Sequence, residues 1–401
     1  MFKTGLFSRT KSEESKRIYL DYAAATPLEV VVIEVMQKYL HLYGNPSAIH
    51  QEGVAAKDVI NDCQTRIARL LQIKPEGVVF TSGGTESNNL ALLGVVEQLH
   101  KTGRAYDSME VLTTGIEHPS ISETILELKN RGVLVKYVKV DEVGKVSLDS
   151  LRENLSNKTV LVSVALVNSE IGTIQNIGAI ARVAHEVDKS ILIHADAAQS
   201  PYWMSVELPR IGADIISLDA GKCGGPKGIG VLAWQKRVQL TPVLYGGGQQ
   251  MGLRPGTESV ILIAGATMAI EQAQRKWQER SEKVTKVRNE CIKKLKEEIL
   301  DVILNGAEGE ERVANNINIS ILGLDTEFAV VVLDKNGIAA STKSACSGAG
   351  GGESVVVKQI SNDTARATST IRLTLGEETT INDCQKMIQV LKEHVEKMKD
   401  Y

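Results

Sequence analysis

Four short runs, "GVVFTS" (77–82), "VLVSVALV" (160–167), "SILIHADAA" (190–198) and "ADIISLD" (213–219), are apolar without the alternation of a half-exposed strand. Such runs suit strands buried on both faces, the condition of a parallel sheet covered by helices. Helical patterns separate them, as in "HPSISETILELKNRG" (118–132) and "IGAIARVAHEVDKS" (177–190). The alternation predicts an α/β fold with a mostly parallel sheet.

A chain of 401 residues exceeds the roughly 250 to 300 at which single cores stop growing, so two domains are expected. From Val260 to Ile299 the pattern is helical without a proline, apolar at first and then charged. It reads as one helix, or two end to end, leaving one core and joining another, with the domain boundary inside it. The strand-like "NNINISIL" (315–322) and "TSTIRLTL" (368–375) and a closing helix then suit a smaller α+β domain. The expected division is 18–262 for the large domain and 263–401, with segment 1–17, for the small one.

Lys and Arg total 46 against 49 Asp and Glu, a net charge of -3. Nothing in that balance calls for nucleic acid or an anionic membrane as partner, and a small metabolite is the expected ligand. Cys63, Cys223, Cys291, Cys346 and Cys384 are scattered, with no CxxC pair. That argues against a disulfide framework or a metal site and for a reducing cytoplasm. The opening "MFKTGLFSRTKSEESKR" lacks the apolar core of a secretory signal, and no apolar run approaches the ~18 residues of a membrane helix.

Chemistry is concentrated in "SLDAGKCGGPKG" (217–228), where Lys222 and Lys227 flank a glycine-rich turn. A phosphate-binding Walker loop is excluded, because Lys222 is followed by Cys223 rather than Ser or Thr. A lysine that forms an imine must be able to lose its proton, and both lysines qualify, Lys222 coming directly off a strand end. Upstream, Gly83, Gly84 and Thr85 follow a strand and open a helix, a place where free N–H groups favour an anion. An ordinary turn capped by Thr85 accounts for the same residues. Asp196 ends a buried strand, where open α/β sheets bind ligands, and Gln199 follows it. Either a cationic partner or backbone N–H groups would satisfy that carboxylate. His118 precedes Pro119 at a helix start, where its ring could meet an aromatic ligand, act as acid and base, or simply cap the helix.

The motifs taken together are more specific. "SGGTES" (82–87), "EHPS" (117–120), "VNSEIG" (167–172), "HADAAQS" (194–200), "DAGKCGGPKGIG" (219–230), "GGGQQMGLRPGTES" (246–259), "SACSG" (344–348) and "STIRLTLG" (369–376) resemble, in order and spacing, the cysteine desulfurases. These are pyridoxal-5'-phosphate enzymes of the class V aminotransferase group, and the likeness begins at "IYLDYAAATPLEV" (18–30). The resemblance implies a type I (aspartate aminotransferase-like) α/β fold, with a mostly parallel seven-stranded sheet in the large domain and a smaller α+β domain.

It also implies roles. Lys222 matches the lysine bonded to the cofactor, and Lys227 a turn residue. Asp196 matches the partner of the ring nitrogen, Asn168 and Gln199 neighbours of the ring hydroxyl, and His118 the histidine stacked on the ring. Gly84 and Thr85 match the phosphate end, and Thr257 a residue contributed by a second subunit, which implies a homodimer. Cys346 matches the nucleophile that takes sulfur from L-cysteine as a persulfide, with neighbouring glycines that would let its loop travel. Arg372 and Asn45 match contacts of the substrate carboxylate. The separation of Cys346 from Arg372 resembles the long-loop subgroup, which hands sulfur to an iron-sulfur scaffold protein or to transfer-RNA-thiolating proteins. Other readings are selenocysteine lyase or another class V reaction, and a cofactor-poor sulfur-relay or interaction protein.

Three departures stand out. The family has Ser and His, donors to the cofactor phosphate, where this chain has Asp219 and Gly221. A carboxylate beside a phosphate dianion repels it, so either Asp219 turns away or backbone N–H groups replace the lost donors. Ser169 replaces a common Asn, and the Cys346 loop lacks the family's Pro-Ser-x-x-Leu continuation.

Overall fold

The structure is a computed structural model that describes residues 17–342 and 352–399. Its centre is a seven-stranded sheet in the order Val78–Thr81, Gly230–Trp234, Ile215–Asp219, Leu192–Asp196, Thr159–Ala165, Glu110–Thr114, Leu134–Val138. Gly230–Trp234 runs antiparallel to both of its neighbours. The remaining pairs are parallel. The four strands expected from apolar runs are all present, slightly shortened.

The reason those runs do not alternate is visible in the core. Adjacent residues of one strand point to opposite faces, and here both faces are packed. Leu161 and Ile215 join one apolar cluster with Leu90 and Ile121, whereas Val162 and Ile216 join another with Ile60 and Leu208. Helices Gly84–Lys101 and Pro119–Asn130 pack against each other.

Val260–Glu298 is one continuous helix, started by Ser259, whose hydroxyl accepts from Leu262 N. It packs on helices Val30–Lys38 and Gln51–Leu71, and also on helix Ile381–Lys399 and strand Asn316–Ser320. That strand is the middle of a three-stranded sheet with Ile303–Leu304 and Thr370–Thr374, antiparallel in both pairings.

The segment after Arg17 ties the two sheets together. Ile18–Tyr19 pairs with Ile338–Ala339, Thr374 N donates to Leu20 O, and Thr26 N donates to Gly221 O. Strand Thr370–Thr374, which carries Arg372, is thereby fixed relative to the turn that carries Lys222.

One buried group gives the fold a pH signature. His194 is fully buried between Ser163 Oγ, 2.9 Å from Nδ1, and Ser217 Oγ, 3.0 Å from Nε2. Burial holds its pKa down at about 3, so the folded ring stays neutral while the unfolded ring takes a proton below its ordinary value. Stability from this group is therefore complete above pH ~6.5 and is lost as the pH falls toward about 3. Between pH 7 and 5 the wild-type melting temperature is expected to fall more steeply than that of His194→Gln, measured by circular dichroism; parallel curves would contradict it.

Candidate active site

The carboxyl ends of the parallel strands meet the start of helix Gly84–Lys101 at a cavity of about 150 Å³. Parallel strands all release their chains at one edge of the sheet, which is why Asp196 and Asp219, each the last residue of its strand, arrive together. Gly84, Thr85, His118 and Asn168 line the cavity, and so do Asp196, Gln199, Lys222 and Arg372. A larger cleft of about 1110 Å³, lined by Trp203, Trp277 and Arg288 among others, contains none of the expected site residues.

Lys222 Nζ donates to Ala23 O at 2.8 Å and to Ala24 O at 2.6 Å. Gln199 Nε2 donates to the same Ala23 O at 2.9 Å. Lys227 is exposed and does not line the cavity. Of the two lysines that spacing left open, Lys222 alone lines the cavity.

Asp196 is satisfied by a backbone N–H, as its sequence context allowed, and by a neutral side-chain amide. Its Oδ1 accepts from Ala198 N at 3.0 Å, and its Oδ2 accepts from Asn88 Nδ2 at 2.8 Å. Asn88 also donates to Ser120 Oγ at 2.8 Å, while its own Oδ1 is buried with no hydrogen-bond partner among the described residues. His118 caps helix Pro119–Asn130, its Nδ1 accepting from Ser120 N at 3.1 Å. Desolvation depresses its pKa, Asp196 opposes that and Lys222 reinforces it. An Nδ1 that accepts leaves the proton of the neutral ring on Nε2.

Arg372 is 2% exposed, with Nη2 donating to Asp21 Oδ1 at 2.9 Å and Nη1 to Ser169 O at 3.1 Å. Its Nε is buried and has no partner among the described residues. The Nε and Nη2 edge therefore keeps a donor for a carboxylate, the geometry a guanidinium fork supplies best. Asn168 spends its amide on the cavity wall, donating to Ile116 O at 2.8 Å and accepting from Glu170 N and Ile171 N at 3.0 Å.

Asn45 and Thr257 are exposed and do not line the cavity, and Asn45 Oδ1 accepts from Ser47 N at 2.9 Å. Cys346 lies outside the described residues.

The turn at Gly83 differs from the ordinary capped turn. Gly83, not Thr85, is the N-cap, with φ 149°, a backbone conformation that side chains disfavour. A Cβ on the facing Gly230 would lie 2.6 Å from Gly83 C, so the two chains approach as only glycine permits. The first helical N–H is not left open, because Gly84 N donates to Asp219 Oδ2 at 3.3 Å. Asp219 does not turn away from the cavity.

Asn88, Ser120, Asp21 and Glu117 escape a residue-by-residue reading of the sequence, although Ser120, Asp21 and Glu117 lie inside quoted motifs and Asn88 directly follows one. Glu117 accepts from Thr114 Oγ1 at 2.6 Å and from Ala165 N at 2.8 Å. Burial pushes its pKa up to about 8, a rise Thr114 opposes and Asp196 reinforces.

As to what such a cavity could hold, an aromatic cofactor with a basic ring nitrogen finds a buried carboxylate at Asp196, an amine at Lys222 and a neutral imidazole at His118. The orphaned Asn88 Oδ1 marks unfilled polar space beside them. These residues fit the ring of pyridoxal phosphate. Its phosphate would meet the start of helix Gly84–Lys101, a favourable place for an anion, but one where a carboxylate already sits.

Fold and site together define an α/β enzyme cavity built on a parallel-sheet edge. Residues 18–387 match the aminotransferase class-V family, and the chain belongs to it. It is 37% identical to a cysteine desulfurase IscS of Dictyoglomus turgidum, over 96% of this chain and 96% of that one. It is 35% identical to cysteine desulfurase IscS 1 of Archaeoglobus fulgidus, over 95% and 97%. Among solved structures, a NifS-like protein superposes with a TM-score of 0.87 at 30% identity, covering 95% of this chain and 99% of that one. A protein described as SspA in complex with cysteine superposes with a TM-score of 0.74 at 30% identity, over 90% and 100%. The fold is that of the NifS-like proteins, a type I pyridoxal-phosphate transferase fold.

Glu117 yields a test of the site's electrostatics. With a folded pKa of about 8 against an ordinary 4.5, its stability contribution is complete below pH ~4.5 and is lost as the pH rises through about 8. The melting-temperature advantage of Glu117→Gln over wild type is expected to grow from pH 5 to 8 and then level off. A difference that stays constant across that range would contradict it.

Proposed function

We propose that the chain is a homodimeric, pyridoxal-phosphate-dependent cysteine desulfurase. It converts L-cysteine to L-alanine and moves the sulfur onto Cys346 as a persulfide. The observation that carries this reading is the gathering of Lys222, Asp196, His118 and Arg372 around one cavity. The acceptor downstream is an iron-sulfur scaffold protein or a transfer-RNA-thiolating protein, a reading supported by the IscS relatives and by the long-loop spacing.

Bound there, the cofactor supplies an electron-withdrawing ring that accepts the electron pair released at the substrate Cα. Asp196, oriented by Asn88 Nδ2 and Ala198 N, holds the proton on the ring nitrogen. His118, on the cavity wall, would offer the cofactor a neutral ring. Arg372 receives the substrate α-carboxylate on its Nε and Nη2 edge, and Asp21 keeps the guanidinium in place. Lys222 Nζ, released from Ala23 O and Ala24 O, takes the Cα proton. Cys346, as thiolate, is the nucleophile for the substrate sulfur.

The dimer is supported by large apolar side chains left exposed near Asn45 and Thr257. Tyr43 is 84%, Ile49 98% and Tyr245 85% exposed, more apolar surface in two short segments than a solitary subunit ordinarily presents. In this reading Thr257 completes the phosphate end of the partner's cavity, and Asn45 is a substrate contact once the assembly forms. The chain divides into a cofactor-binding unit of residues 18–262 and a smaller unit of 263–401 with 1–17.

Absorption spectra of purified protein before and after L-cysteine, with sulfide release measured in parallel, test the reading. The wild type is expected to show a cofactor band that L-cysteine alters. Cys346→Ser should keep the band and lose sulfide release by about a hundredfold or more, as for other removed nucleophiles. Full sulfide release by the variant, or no band after added pyridoxal phosphate, would contradict it.

A further inference from the structure

The start of helix Gly84–Lys101 carries an anion that belongs to the chain itself. Asp219 Oδ2 accepts from Gly84 N at 3.3 Å, and Oδ1 accepts from Gly221 N at 2.9 Å. The carboxylate is seated closely: a Cβ added to Gly84 would lie 3.4 Å from Oδ2, and one added to Gly221 would lie 3.2 Å from Oδ1. Asp219 lines the same cavity as Lys222, Asp196 and Thr85. It follows directly from the backbone of strand Ile215–Asp219, so it cannot drift away as a surface carboxylate can.

A helix N-terminus attracts one compact anion through its unpaired N–H groups and its dipole. A phosphate monoester brings a charge of about -1.5 to -2 at neutral pH. Two anions competing for one set of N–H groups repel each other strongly where water is partly excluded. Gly221 has no side chain, so it offers no side-chain donor to offset the carboxylate.

We propose that Asp219 is a tethered anion occupying the phosphate end of the cavity, so that this chain distinguishes only weakly between pyridoxal phosphate and its dephosphorylated form, pyridoxal. The inference rests on the cofactor reading above. It makes residue 219 a specificity determinant for the cofactor: its charge sets how much the phosphate group adds to binding. The ring contacts at Asp196, His118 and Lys222 are common to both compounds and are left out of the difference.

The test is equilibrium binding of pyridoxal phosphate and of pyridoxal to cofactor-stripped full-length protein. It is followed by absorbance and by borohydride-trapped adduct in wild type and Asp219→Asn. The variant keeps the side-chain shape and an acceptor for Gly221 N but loses the charge. Removing a like charge from the same helix start should tighten pyridoxal phosphate by about tenfold or more, while pyridoxal stays within about twofold. Unchanged or weaker binding of pyridoxal phosphate by a variant that melts like wild type would overturn the proposal. So would a wild type that already prefers the phosphorylated form by about a thousandfold, a result that needs no variant. If neither compound binds either protein, the cofactor reading fails and this proposal falls with it; binding of both compounds with no response to the variant contradicts this proposal alone.

Discussion

Lys222 Nζ rests on the carbonyls of Ala23 and Ala24, in a segment tied both to the strand that bears Arg372 and to the turn that bears Lys222. Ala23 N donates to Thr374 Oγ1 at 2.9 Å, on the strand that bears Arg372. Three residues further, Thr26 bonds the backbone of Gly221 beside Lys222. A short N-terminal segment thus sets the distance between the amine and the guanidinium. In the proposed function that distance is decisive, because a bound amino acid would have to reach both.

Around this link the charges are deliberately unequal in their surroundings. Asp196 and Asp219 are both terminal strand residues, yet one is bonded by a side-chain amide and the other by a helix start. Glu117, enclosed behind them, is pushed toward the neutral acid, largely by burial and partly by Asp196. His118 is kept neutral for the same first reason. Burial therefore disfavours charge on Glu117 and on His118, while Asp196, Asp219, Lys222 and Arg372 line the cavity beside them.

Much of this was legible in the residues. Strands buried on both faces could be read because Leu161 and Val162, or Ile215 and Ile216, are all apolar. Strand Leu134–Val138 could not, since it lies at the sheet edge, is partly exposed and carries Lys136. Glu110–Thr114 hides a buried carboxylate that Thr159 and Lys136 satisfy, a pairing that only the fold brings about. Lys222, Asp196 and His118 were legible because strand ends and helix starts converge in any parallel sheet. The Asn88 bridge from Ser120 to Asp196 joins three separate segments, and no local pattern announces it. Asp219 could be flagged as a misfit from sequence, but its direction depends on the Gly83 backbone.

The most direct measurement is the site at which the proposed cofactor attaches. Hydride reduction of protein loaded with pyridoxal phosphate, followed by peptide mass mapping, should find the adduct on Lys222 and nowhere else. An adduct on Lys227, or none at all, would contradict the assignment of this cavity.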